Sequence, residues 1–363
     1  MYPYWLIFLA AAGMAVVLRR GQNSGERRAL EGLWDGFFIG LTILIGLRHE
    51  VGGDWYNYLR ILELARDERI ASSLAGKDLA YSLVNWFAVN AWGGIYLVNS
   101  VCALFFAWGL YHFCRVQPRP WLAVVVSVPY LITVVAMGYS RQGVAIGLAM
   151  LGLVALADGR LLRFLCWMVL AAIFHKSAII LVPLALFHLK SGRYRLWAVA
   201  FVGLATALLY ELALRDTLAH WQSGYLDAGY DSSGAAVRIA MNALPAAFFL
   251  FFRKRFQLEA APRRFWTLMS LLALGFVPLL WLLPSTTAVD RIALYWIPLQ
   301  VFVWSRVPDM VSGKQRRRSV WVYGIVAYSA VVLFVWLFFA VHAFAWVPYQ
   351  FYPWVALMEW MKG

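Results

Sequence analysis

Apolar stretches of ~15 to 22 residues recur along the chain, separated by short polar breaks, and each is long enough for a helix to cross a hydrocarbon core of ~30 Å. The pattern predicts spans at 3–18, 33–47, 94–113, 121–138, 142–157, 161–174, 177–189, 196–213, 236–252, 265–283, 291–305 and 320–341. Three intervening segments, 48–93, 214–235 and 342–363, exceed simple turns and are rich in aromatic residues. In the first, Trp55, Leu59, Leu62 and Leu64 stand on a background of Asn57, Arg60, Glu63 and Arg66, the pattern of a helix lying in the membrane interface. The last, with Trp346, Tyr349, Tyr352, Trp354 and Trp360, has the composition of an aromatic belt. The expected fold is an all-α polytopic membrane protein, one transmembrane domain over 1–363 with about twelve spans.

Composition agrees, with 63% apolar residues and a mean hydropathy of +0.68, against ~45 to 50% apolar in soluble domains. The net charge of +14 would suit nucleic acid, but its distribution has a simpler reading. Of the 32 Lys and Arg residues, 21 fall in one alternating set of loops, including Arg19, Arg20, Arg115, Arg119, Lys190, Arg264 and Arg316 to Arg318. The positive-inside rule puts that set in the cytoplasm and both termini outside. No nucleic-acid partner is expected, and anionic headgroups are. Cys102, Cys114 and Cys166 form no CxxC pair and read as small core residues. Met1 to Leu18 has no basic leader and is followed by Arg19 and Arg20, so it reads as a first span and not a cleaved signal. The basic loops contain no glycine-rich phosphate loop.

Ionisable groups beside hydrocarbon are costly, so those at the outer ends of spans need a reason. They are Arg48, Glu50, Asp54, Asp78, Arg141, His175, Lys176, Arg238, Asp290 and Arg291, drawn from at least five stretches. Such convergence suits a polar cavity between helices. The densest run is Arg48-His49-Glu50-Val51-Gly52-Gly53-Asp54-Trp55-Tyr56-Asn57-Tyr58. Its glycines allow a tight bend that turns Arg48 and Asp54 to one cavity, either as an anion clamp with a base or as an ion pair closing a loop. Ser140-Arg141-Gln142 has no acidic neighbour in sequence, so Arg141 needs an anion or a distant carboxylate. His175-Lys176-Ser177 marks a helix reversal, where histidine serves as base, phosphate donor or structural hydrogen-bonding group. Asp290-Arg291 opens the eleventh span, with Tyr295 four residues on and on the face of Arg291; Asp290 suits a helix cap equally well. Arg238 fits a snorkelling anchor.

In order and spacing these motifs resemble the EpsG-like, Wzy-type polymerases of bacterial exopolysaccharide and capsule synthesis. The resemblance rests on Arg48 through Gly52-Gly53-Asp54 to Tyr58, Asp78-Leu79-Ala80-Tyr81, Ser140-Arg141-Gln142-Gly143, Phe174-His175-Lys176-Ser177-Ala178, and Asp290-Arg291 with Tyr295. Gly53 stands where a Thr is common in the family and Asp78 where a Glu is common. The resemblance implies an enzyme moving a growing glycan from undecaprenyl pyrophosphate onto a lipid-linked repeat unit at the periplasmic face. It further implies a likeness to GT-C glycosyltransferases, with Asp54 or Glu50 as the acidic residue of the first outer loop. Asp54, Arg48, Arg141 and His175 are then the catalytic candidates. Glu50, Tyr58, Asp78, Gln142, Lys176, Arg238, Asp290, Arg291 and Tyr295 are expected to contact substrate. A flippase and a chain-length regulator of the same pathway would be its partners.

The chemistry agrees: diphosphate departure develops charge that arginines answer, and the acceptor hydroxyl needs a carboxylate or histidine. The activated lipid supplies the driving force, so no cofactor is expected. The acidic residues are too scattered to define a metal site. A lipid-linked sugar flippase, a GT-C monosaccharide transferase and a membrane acyltransferase stand as alternatives. Against a transporter, the halves show no clear similarity and mid-span charges are few.

Overall fold

The computed structural model describes residues 1–18, 24–67, 78–187, 203, 234–283, 285–310 and 315–362. The expected eighth span, 196–213, apart from residue 203, and nearly all of the segment 214–235 lie outside the described residues. Helix dominates the rest. Five helices are long and apolar enough to cross a membrane: Gly94–Arg115, Ser140–Ala157, Ala235–Phe256, Ala260–Leu282 and Arg318–Phe339. Shorter apolar helices at Tyr2–Val17, Pro120–Ala136, Leu161–Phe174 and Lys176–Ala185 fall where further spans are predicted.

In chain order the helices are α1 (Tyr2–Val17), α2 (Ser24–Gly46), α3 (Trp55–Asp67), α4 (Leu79–Asn90), α5 (Gly94–Arg115), α6 (Pro120–Ser127) and α7 (Ser140–Ala157). There follow α8 (Leu161–Phe174), α9 (Ala235–Phe252), α10 (Ala260–Leu282), α11 (Thr286–Ala293), α12 (Ile297–Met310), α13 (Gln315–Phe339) and α14 (Tyr352–Trp360). At the centre lies α7, buried almost all round, as expected of a helix apolar on every side. It can approach α5 closely because Gly109 and Gly147 meet there backbone to backbone, where a Cβ would collide.

The helix read from Trp55 onward is α3, with Trp55, Tyr58, Leu62 and Ala65 buried at helical spacing. Leu64, counted in its apolar face, is exposed instead. Three expected spans are not single α-helices. The fourth runs from α6 into a π-helical segment, Val128–Ala136, a form that in such length is rare and associated with functional sites. The eleventh is divided: α11 gives way to a 3₁₀ turn, Leu294–Trp296, before α12 resumes. Likewise the seventh is a 3₁₀ helix, Lys176–Phe187, with Pro183 inside it. The aromatic tail needs the largest correction. Trp346 is 1% exposed and belongs to the core, whereas Trp354 and Trp360 are exposed as a belt requires.

A strap precedes α14 and closes one end of the helices. Strand β1 (Arg48–His49) pairs antiparallel with β2 (Gln350–Phe351), Arg48 opposite Phe351 and His49 opposite Gln350. Trp346 donates from Nε1 to the carbonyl of Thr133 in the π-helical segment at 2.7 Å. Its own carbonyl accepts from the Tyr4 hydroxyl at 2.6 Å, and the Tyr349 hydroxyl reaches the Leu44 carbonyl. One short strap therefore ties α1, the exit of α2 and the π-helical segment together.

Candidate functional site

The bend after β1 is dictated by glycine. Gly52 has φ +107° and lies against the Met137 carbonyl and Gly138, so a side chain there would be strained and would collide. Its amide donates to the Ala345 carbonyl at 2.8 Å. Gly138 in turn lies against the Trp346 indole, again with no room for a Cβ. Beside this close approach is a cleft of about 500 Å³ lined by Glu50, Gly52, Gly53, Asp54, Tyr139, Arg291, His342 and Trp346, among others.

Asp54 stands in this cleft. Burial pushes its carboxyl above the usual carboxylate range, and the Arg291 and Arg141 charges draw it back only in part. Tyr58, fully buried one turn into α3, has its hydroxyl pushed up to about 12 by burial and then by Asp54. The Arg291 guanidinium lies over the Tyr139 ring, 4.6 Å from its centroid. Glu50, at φ +50°, sits at the rim, with Tyr56 and Gln350 each 3.5 Å from its carboxylate.

A second charged centre adjoins the first. Asp78, the residue before α4, accepts from Arg141 Nη1 at 2.8 Å, and His175 Nδ1 lies 3.8 Å from the same oxygen. Burial alone would raise the Asp78 carboxyl; the nearby His175 and the Arg141 cation outweigh it and hold the group below its ordinary value. Arg141 also lies over Tyr81 and Tyr58, 5.6 and 6.0 Å from their ring centroids. Close by, the hydroxyls of Ser177 and Tyr295 are 3.0 Å apart.

Three consecutive residues at the start of α7 join these parts. Ser140 accepts from Arg48 Nη2 at 2.6 Å, Arg141 binds Asp78, and Gln142 donates to the Arg291 carbonyl at 2.7 Å. The distant carboxylate that Arg141 requires is thus Asp78. Arg48 does not turn to the cleft with Asp54. It is 1% exposed, and its donors go to the carbonyls of Ile45 and Val51, to Asn99 and to Ser140. Arg238 forms a two-point pair with Asp290 at 2.7 and 2.8 Å, where an isolated anchor was one reading. Asp290 lies inside α11, whose first residue follows Ser285, so it is no cap. Tyr295 faces Ser177 rather than the cleft with Arg291, because the 3₁₀ turn breaks the helical register between them. Lys176 is partly buried beside His175, away from the cleft lining.

Asn99, Tyr139, His342 and the burial of Trp346 escaped the sequence reading. His342 carried a usable signal: no other Asp, Glu, Lys, Arg or His occurs from Ser319 to Met358. Among the described residues no three His, Cys, Asp or Glu side chains gather as a metal-ligand set.

A family model described as the EpsG family matches residues 34–351. No curated protein and no solved structure matches the chain. The chain belongs to the EpsG family, a family of Wzy-like exopolysaccharide polymerases.

Proposed function

From that membership we propose that the chain polymerises lipid-linked repeat units, moving a growing glycan from its undecaprenyl-pyrophosphate carrier onto the incoming unit at the periplasmic face. The observation that carries the reading is that Asp54 and Arg291 line one polar cleft, a carboxylate and a cation of the kinds this transfer calls for. The acceptor hydroxyl gives its proton to Asp54 as its oxygen attacks the anomeric carbon. The bond from that carbon to the diphosphate breaks, and the electron pair leaves with the diphosphate toward Arg291. A carboxyl raised above its ordinary value is a better base than an exposed one, provided it is ionised at working pH. Arg141, answered by Asp78 and His175, supports the same anion from the second centre. Arg48 is a positioning residue, holding the β1 bend to α5 and α7 through Asn99 and Ser140.

Loss of the gene in its host, followed by analysis of lipid-linked saccharides, tests the reaction. Single repeat units should accumulate; unchanged long polymer would refute it. Cysteine labelling after Arg28 and Arg264 should report cytoplasm, and a periplasmic result would move the site to the wrong side.

A further inference from the structure

Behind the cleft, α9 and α13 separate to leave an apolar groove of about 520 Å³. Its walls include Met241 and Leu244 from α9 and Val331, Val335 and Phe339 from α13. Leu244, Val331 and Val335 are exposed, so the groove opens sideways at the level of the two helices. The opposite face of α9 is closed by a polar ladder, Asn242 donating to the Ala293 carbonyl at 2.8 Å and Gln300 to Asn242 at 2.7 Å.

Two features join this groove to the cleft. His342 lines both. In addition, Asp290 holds Arg238 in the groove wall while the next residue, Arg291, lines the cleft. Apolar walls thus run toward an end that bears the Arg291 guanidinium and the His342 imidazole, hydrogen-bonding groups suited to the anionic phosphate head of a molecule with a hydrocarbon chain. Ordinary bilayer lipid would satisfy the apolar walls alone, but not the continuity with a cleft that holds Asp54.

We propose that the α9–α13 groove is the lateral portal that seats the hydrocarbon chain of the diphosphate-linked donor, its head passing His342 to reach Arg291. This rests on the polymerase reading for the identity of the donor. The chain lies between the helices, and the diphosphate crosses from groove to cleft at the Asp290-Arg291 step. Discrimination comes from the combination: a neutral long-chain alcohol lacks the head, and a short-chain diphosphate lacks the contacts along α13.

The test uses the full chain in lipid nanodiscs and a photoactivatable long-chain polyprenyl diphosphate. Label should fall on α9 and α13, be displaced by unlabelled polyprenyl diphosphate, and resist polyprenol and phosphatidylglycerol. Val335→Trp and Leu244→Trp, on exposed positions that need no core repacking, should each lower labelling by about tenfold. Leu162→Trp, on the exposed face of α8, should leave it as in wild type. Label spread over other helices, displacement by phosphatidylglycerol, or full labelling of both groove variants would overturn the portal. Labelling needs no turnover, so the two readings fail separately. Groove labelling without glycosidic bond formation sinks the polymerase, whereas polymer formation with label elsewhere sinks the portal alone.

Discussion

Asp54 and Asp78 are two carboxylates at one end of the molecule, near enough that both feel Arg141, yet their surroundings push them in opposite directions. Asp78 has direct partners, a guanidinium at 2.8 Å and a histidine at 3.8 Å, and its charge is held in place. Asp54 stands in an open cleft, where burial raises it more than the neighbouring arginines lower it. Under the proposed function the two would divide labour. A carboxylate paired at contact distance stabilises the architecture, and one left desolvated beside cations at a distance stays reactive.

Replacing each carboxylate by its amide should separate them most strongly. Asp54→Asn should lower turnover by ~10² to 10⁴, as loss of a general base does, with substrate binding and thermal unfolding largely kept. Turnover is measured with purified protein and a lipid-linked acceptor; near-normal activity would move the base to His175. Asp78→Asn should instead show in stability, losing about 3 kcal/mol because the Arg141 cation is left partly buried without its partner. Detergent-resistant unfolding would read this, and an unchanged transition would remove Asp78 from the structural half of the comparison.

A smaller effect is expected from Trp346→Phe, which deletes the Nε1 bond to the Thr133 carbonyl and trims the outer indole edge that lies against Gly138. About 1 kcal/mol of stability should go. Activity should fall by more than that loss explains if the strap aligns the cleft, and in step with it if the strap only closes the fold.

Acidity should divide the pair with the smallest shifts. Asp78, held below its ordinary value, contributes stability that is present above that value and lost as pH falls through the depressed one. Asp54, held above, must be ionised to accept a proton, so activity should rise with pH through its raised value. Arg291→Gln removes a charge that lowers Asp54, and the acid limb of the pH–rate profile should move to higher pH. An unmoved limb in that variant would separate Asp54 from Arg291.

Much of the frame is legible along the chain because crossing a membrane imposes local rules. An apolar run must satisfy its own backbone hydrogen bonds, so length and hydropathy suffice to locate α5, α7, α9, α10 and α13. Helix α3 follows from its apolar stripe in the same way. Breaks inside spans are harder to read. The π-helical segment and the 3₁₀ turn after α11 have ordinary apolar compositions, and only their neighbours, Trp346 in the first case and Ser177 opposite Tyr295 in the second, show what they accommodate.

By itself, the sequence determined the class of the protein, the positions of its apolar helices and the set of charged residues that need a reason to be where they are. Their partners were decided by tertiary structure. Asp78 and Arg141 lie far apart in sequence, as do Arg238 and Asp290 and the strap and Gly52, and nothing local couples the members of each pair. Burial decides the rest: a desolvated charge is stable only with whichever partner the packing of helices brings to it, so the same residue types became an enclosed brace at Arg48 and an open cleft wall at Arg291.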